Sequence, residues 1–206
     1  MRDVKEPEVR RAEIMEAALL LFMEKGYMNT TTQDIIDKVK ISRGLLYYHF
    51  KNKEDILYCM VERYSEPLLR NLSAISYDKD KSAIEKIRSF LEVTLISTDT
   101  ITNEMVELQK TVDLEQNRYM MDKFSHNFIR KVTAYFTYII EQGVSEKVFY
   151  VEYPSETAYF LMTGYVFASN DMNALYLDEE KANGYFIAFK TLLARALGTD
   201  PSIFNS

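Results

Sequence analysis

The sequence predicts an all-α protein in two parts: an N-terminal group of three short helices and a larger C-terminal helical body. Three observations lead there. Only 6 of 206 residues are Gly and 4 are Pro, too few for a turn-rich β fold, while strong helix formers are plentiful. Apolar residues recur at helical spacing through most of the chain. No strand-like alternation runs longer than Lys147 to Tyr153, so the makings of a sheet are missing.

Residues 1–9 are charged and include Pro7, and are expected to form an arm. Arg10 to Lys25 reads as the first helix, with Ile14, Ala17, Ala18, Leu21 and Phe22 on one face and Gly26 closing it. Thr31 can cap a second helix, and Asp34 three residues on completes a capping box. Ile35, Ile36 and Val39 give that helix its buried face. Lys40 to Ser42 make the break. Ser42 then caps a third, short helix whose Leu46 and Phe50 turn inward. Asn52 caps a long helix through Ile56, Leu57, Met60, Val61, Tyr64 and Leu68, where Pro67 predicts a kink. Further helices are expected over 82–97, 102–115, 117–142, 154–169 and 179–197.

Several function classes are excluded by what the chain lacks. A single cysteine, Cys59, rules out an internal disulfide and suits a reducing compartment. No N-terminal apolar segment and no long apolar run occurs, so a cytoplasmic protein without a membrane span is expected. The sequence contains no nucleophile elbow, P-loop, dinucleotide fingerprint or HExxH. His126 has no second histidine or cysteine near it in sequence, so no metal, cofactor or enzymatic activity is expected.

The net charge of −6 argues against a nucleic-acid partner until its distribution is considered. Residues 1–63 are neutral, with 11 basic and 11 acidic side chains. All the acidity lies downstream. Within 37–53, Lys38, Lys40, Arg43, Lys51 and Lys53 face only Asp37, and phosphate contacts act locally, within a screening length of about 10 Å.

The third helix is also charged the wrong way round. Helix starts favour Asp or Glu, yet this one places Arg43 there with no carboxylate, at a cost of roughly 0.3–1 kcal/mol unless an outside anion compensates. Lys53 repeats the pattern at the next helix, partly offset by Glu54 and Asp55. Gly44 is a poor helix former but leaves room for a close approach. Tyr47, Tyr48 and His49 cannot all share the buried face, so polar tips are left to reach phosphate oxygens. Together these features predict a helix-turn-helix that reads DNA.

The spacing of Ile14, Ala17–Ala18, Leu21–Phe22, Gly26–Tyr27, Thr30–Thr31, Asp34–Ile35, Ile41–Ser42, Gly44, Leu46–Tyr47, His49–Phe50 and Lys53–Glu54 resembles the N-terminal signature of the TetR family of bacterial transcription regulators. Departures from it are Ile36 and Val39 in place of common alanines, Lys40 in place of the turn glycine, and Leu45 where Thr or Ser is frequent. The resemblance implies a three-helix DNA-binding domain over 8–68 and an effector-binding and dimerisation domain over 69–206. It implies a homodimer on a double-stranded operator, most simply a repressor released by a small apolar or aromatic effector.

By the same resemblance Thr31, Tyr47, Tyr48 or His49, and Lys53 would hold phosphates, while Arg43, Gly44 and Leu45 would lie nearest the bases; Ser42 is expected in the same DNA-binding set. Arg43 suits a guanine edge or, equally, a non-specific phosphate contact, and Leu45 a thymine methyl. Candidate effector-lining residues are Phe90, Thr94, Met105, Leu108, Gln109, Met120, Phe124, Phe128, Tyr138, Phe160 and Tyr165, although an aromatic stripe at helical spacing also makes an ordinary core. The alternative is a small-molecule-binding or protein-interaction module whose basic head meets an acidic protein.

Overall fold

The computed structural model describes residues 6–94, 108, 111, 115–174 and 179–204, the side chains of 116 and 170–182 excepted. Among these residues the regular structure is entirely helical. In chain order the α-helices are α1 (Pro7–Lys25), α2 (Thr32–Val39), α3 (Arg43–His49), α4 (Lys53–Tyr77), α5 (Ala83–Thr94), α6 (Arg118–Ser145), α7 (Pro154–Ala174) and α8 (Glu179–Leu197). Short 3₁₀ turns occupy Glu115–Asn117 and Pro201–Phe204.

Of the boundaries that differ from expectation, two have a clear physical reason. Helix α1 starts at Pro7 rather than Arg10, because proline is well suited to the first helical position, where its missing N–H has no partner to lose. Helix α4 continues past Pro67 to Tyr77; it goes on to bury Leu69, Leu72 and Ser76, which offsets the lost hydrogen bond. The expected helix over 102–115 lies largely outside the described residues.

The chain forms two compact units, Met1–Ser65 with Ser97–Phe124, and Glu66–Ile96 with Ser125–Ser206. In the first, Ile14, Ala18, Leu21 and Phe22 of α1 pack with Ile35 and Ile36 of α2, Leu46 of α3, and Ile56, Leu57 and Met60 of α4. Both turns are held locally. Thr31 Oγ1 accepts from Asp34 N at 3.2 Å while Asp34 Oδ2 accepts from Thr31 N at 2.7 Å, the reciprocal pattern of a capping box. Ser42 Oγ accepts from Leu45 N at 3.2 Å, and Asn52 Oδ1 from Asp55 N at 2.8 Å.

Lys40 ends α2 at φ 57, ψ 47, the left-handed conformation that crowds a Cβ. Lys40→Gly is therefore expected to stabilise the fold by about 1 kcal/mol, read as a higher denaturation midpoint. An unchanged or lower midpoint would show that this turn carries no strain.

The second unit is built on Leu72, Ile87, Phe90, Phe136, Ile139, Ile140, Phe149, Leu193 and Leu197. Lys86 is buried among them. Its Nζ donates to Gln142 Oε1 at 2.6 Å and lies 5.3 Å from the Tyr138 ring centre, so burial pushes its pKa down. Gln142 in turn donates to Lys81 O at 3.0 Å. The turn after α6 is closed by Gly143, whose carbonyl accepts from Val148 N at 2.9 Å and Phe149 N at 3.1 Å.

Candidate nucleic-acid interface

Seven residues make α3, and their order divides its surface. Leu46 is buried, and Phe50 caps the helix from inside the core. Ser42, Arg43, Gly44, Tyr47 and Tyr48 are exposed, and Leu45 is half-buried. The first turn has no acidic residue. Arg43 pairs with no carboxylate among the described residues; its guanidinium carbon stands 5.6 Å from the Tyr47 ring centre, a cation–π contact on an exposed side chain.

Tyr47 reaches across to α2, its hydroxyl sharing a 3.4 Å hydrogen bond with Thr32 Oγ1. That bond, and behind it Arg43, draws the Tyr47 pKa below its usual value. Thr31 stands beside it, exposed, its hydroxyl donating to Asp34 Oδ2 at 2.6 Å. Asp34 also receives Lys25 Nζ at 2.7 Å. The lysine contact first, then the two bonds from Thr31, hold this carboxylate far below the ordinary Asp range.

Two of the expected phosphate contacts have surroundings of their own inside the protein. His49 is buried, and burial first, then the charges of Arg11 and Arg10, lower its pKa and disfavour the cation. Lys53 Nζ donates to Tyr27 O at 2.7 Å and Thr30 O at 3.0 Å, and lies 4.0 Å from the Tyr27 ring centre. Its charge is thus satisfied by carbonyl oxygens rather than by a carboxylate. Lys38, by contrast, is paired with Glu24 at 2.9 Å.

Gly44 is open: a Cβ built on it meets nothing within 4 Å. Among the described residues nothing requires glycine there, and helix propensity argues against it by about 1 kcal/mol. Gly44→Ala is expected to raise stability by about that amount while weakening duplex binding several-fold. Thermal melting and duplex titration of the same sample check the two halves. A variant that gains stability and binds unchanged would take Gly44 out of the interface.

Signals that sequence reasoning missed sit behind the face. Arg11 of α1 donates to His49 O at 2.6 Å and to Cys59 Sγ at 3.1 Å. No local motif announces a contact across 38 residues; the only hint was a cation on the apolar side of an otherwise regular helix.

The effector candidates scatter. In the second unit, Tyr165 donates to Thr94 O at 3.2 Å and packs 4.6 Å from the Phe189 ring, while Phe90 is buried 5.2 Å from Phe136. Phe128 packs against the same core. Tyr138 is exposed beside Tyr77, at 4.9 Å, and Phe160 is 76% exposed. Leu108 and Met120 belong to the core of the first unit, and Phe124 meets Tyr58 there edge-on at 6.5 Å. Met105 and Gln109 lie outside the described residues.

Comparison with known proteins agrees along most of the chain. Residues 14–58 match the family "Bacterial regulatory proteins, tetR family", and residues 100–192 match "Tetracyclin repressor-like, C-terminal domain". The uncharacterized HTH-type transcriptional regulator YfiR of Bacillus subtilis is 26% identical over 182 residues, 84% of each chain. The biofilm operon icaADBC negative transcriptional regulator IcaR of Staphylococcus epidermidis is 36% identical over 91 residues, 42% of this chain and 46% of IcaR. A TetR-family regulator from Pectobacterium atrosepticum shares the fold, with TM-score 0.61, 23% identity, and coverage of 93% of this chain and 95% of that one.

Proposed function

This chain belongs to the TetR family of helix-turn-helix, DNA-binding transcriptional regulators, and from that membership we propose a repressor that holds an operator through α2, α3 and the start of α4 and releases it when a small molecule binds the second unit. The observation that carries this reading is the outward face of α3. Arg43, Gly44, Tyr47 and Tyr48 stand exposed together on a helix with no acid in its first turn, an arrangement completed by a polyanion. Arg43, Gly44 and Leu45 approach the bases; Thr31, Ser42, Tyr47, Tyr48 and Lys53 act on phosphates. Residues 8–68 form the DNA-binding domain and 69–206 the effector-binding and dimerisation domain.

Repression is supported by the likeness to IcaR, a negative regulator by name. The effector is apolar or aromatic, in keeping with the Phe90, Phe136, Tyr165 and Phe189 interior of the second unit. To cut operator affinity a hundredfold it must favour the released form by about 2.7 kcal/mol. Dimerisation uses the open face of α7 and α8. There Phe160, Gly164 and Phe167, and Gly184, Ala188 and Leu192, are exposed at helical spacing, and neither glycine has a neighbour within 4 Å of a built Cβ. A two-fold dimer sets two copies of α3 in major grooves about 34–36 Å apart, or a multiple of that spacing. Its place of work is the cytoplasm, with the DNA.

Duplexes selected by the protein from a random pool supply the test. With roughly six to ten phosphates neutralised, log K is expected to fall with log salt at a slope of about −5 to −9. A slope near zero for the best duplex overturns the proposal.

A further inference from the structure

A helix of seven residues does not fix its own direction. Nucleation is unfavourable at that length, and its last carbonyls have no partner within the helix. Helix α3 ends on Phe50 in an extended conformation, φ −142, without the glycine that commonly satisfies a helix end. Its apolar anchor is one buried side chain, Leu46, with Phe50 behind it.

Arg11 closes that end from another helix. Nη1 donates to His49 O, the last carbonyl of α3, at 2.6 Å. Nη2 donates to Cys59 Sγ on α4 at 3.1 Å, and the guanidinium carbon lies 4.5 Å from the Phe50 ring centre. One planar fork therefore ties α1 to the end of α3 and to α4 at once, with its two donors held in a fixed geometry that a flexible ammonium lacks. A cation there also complements the negative end of the α3 dipole.

We propose that Arg11 is a positioning residue: it sets the angle at which α3 is presented, and so the discrimination between duplexes, without touching the duplex itself. This role rests on the DNA-binding reading above. It separates Arg11 from Arg43, which faces outward on the same short helix.

The test compares wild type, Arg11→Met and Arg11→Lys, each shown to be folded at the assay temperature by circular dichroism. Affinity is measured for the duplex that wild type selects and for a scrambled duplex of the same length, across a salt series. Arg11→Met is expected to lower the selected-to-scrambled ratio about tenfold, the loss of a charged hydrogen bond, with the salt slope unchanged because no phosphate contact is removed. Arg11→Lys is expected to lower the ratio about fivefold, since it restores the charge but not the fork. A purely stabilising role would leave the ratio of folded protein untouched.

A ratio within twofold of wild type in either folded variant overturns the proposal, as does a salt slope shallower by one, which would put Arg11 on a phosphate. Should Arg11→Met not fold, Arg11→Lys carries the same readings. Wild type selecting no duplex overturns the DNA-binding reading, and this role with it. Wild type selecting one that Arg11→Lys discriminates equally well overturns this role alone.

Discussion

Gly143→Ala is expected to destabilise the protein by about 3 kcal/mol, the upper range for forcing one methyl into a packed core. A Cβ at Gly143 falls within the Phe149 ring, whose Cγ would stand only 2.7 Å away. The ring has nowhere to retreat. Phe149 is 2% exposed, and its own backbone N–H, with that of Val148, is bonded to the Gly143 carbonyl. For a chain of this length the loss corresponds to roughly 6–12 °C in melting temperature. A double-mutant cycle with Phe149→Leu should show strong coupling, because the alanine costs less once the ring is gone. A loss under about 1 kcal/mol in Gly143→Ala would mean that the turn relaxes, and that the clash is not resisted as the packing suggests.

Arg43→Ala is expected to weaken binding of the selected duplex about thirtyfold, near the middle of the range for one bidentate base contact. Stability should change by no more than about 0.5 kcal/mol, since the side chain is exposed and its interactions are with Tyr47, likewise exposed. The form of the loss assigns the contact. Relaxed preference at one base pair, with the salt slope kept, marks guanine readout; a loss uniform across sequences, with the slope shallower by about one, marks a phosphate contact and refutes the base assignment. Unchanged affinity would remove Arg43 from the interface.

Sequence legibility followed distance along the chain. The caps at Thr31, Ser42 and Asn52 could be read because donor and acceptor lie three residues apart, and each forms. Lys40 could be singled out because a turn that lacks glycine leaves a lysine to adopt positive φ, as it does. The exposed half of α3 followed from residues that could not all share one buried face. What stayed hidden was tertiary. The burial of Lys86 beside Gln142 spans 56 residues, and the Arg11 bracket spans 38 and 48. The effector candidates scattered because helical spacing marks an apolar face without saying which unit that face enters: Met120 and Phe124, one turn apart on α6, both join the first unit's packing.

Lys53 brings out a thermodynamic consequence of this architecture. A free lysine carries about 2 kcal/mol of rotamer entropy, part of which is lost whenever a partner immobilises the side chain. Here the two carbonyls of the Tyr27–Thr30 loop and the Tyr27 ring already hold the ammonium still. The ordering penalty is met when the chain folds, so in the proposed interface the charge at the start of α4 is rigid before a duplex arrives, and its attraction need not be spent on freezing a flexible arm.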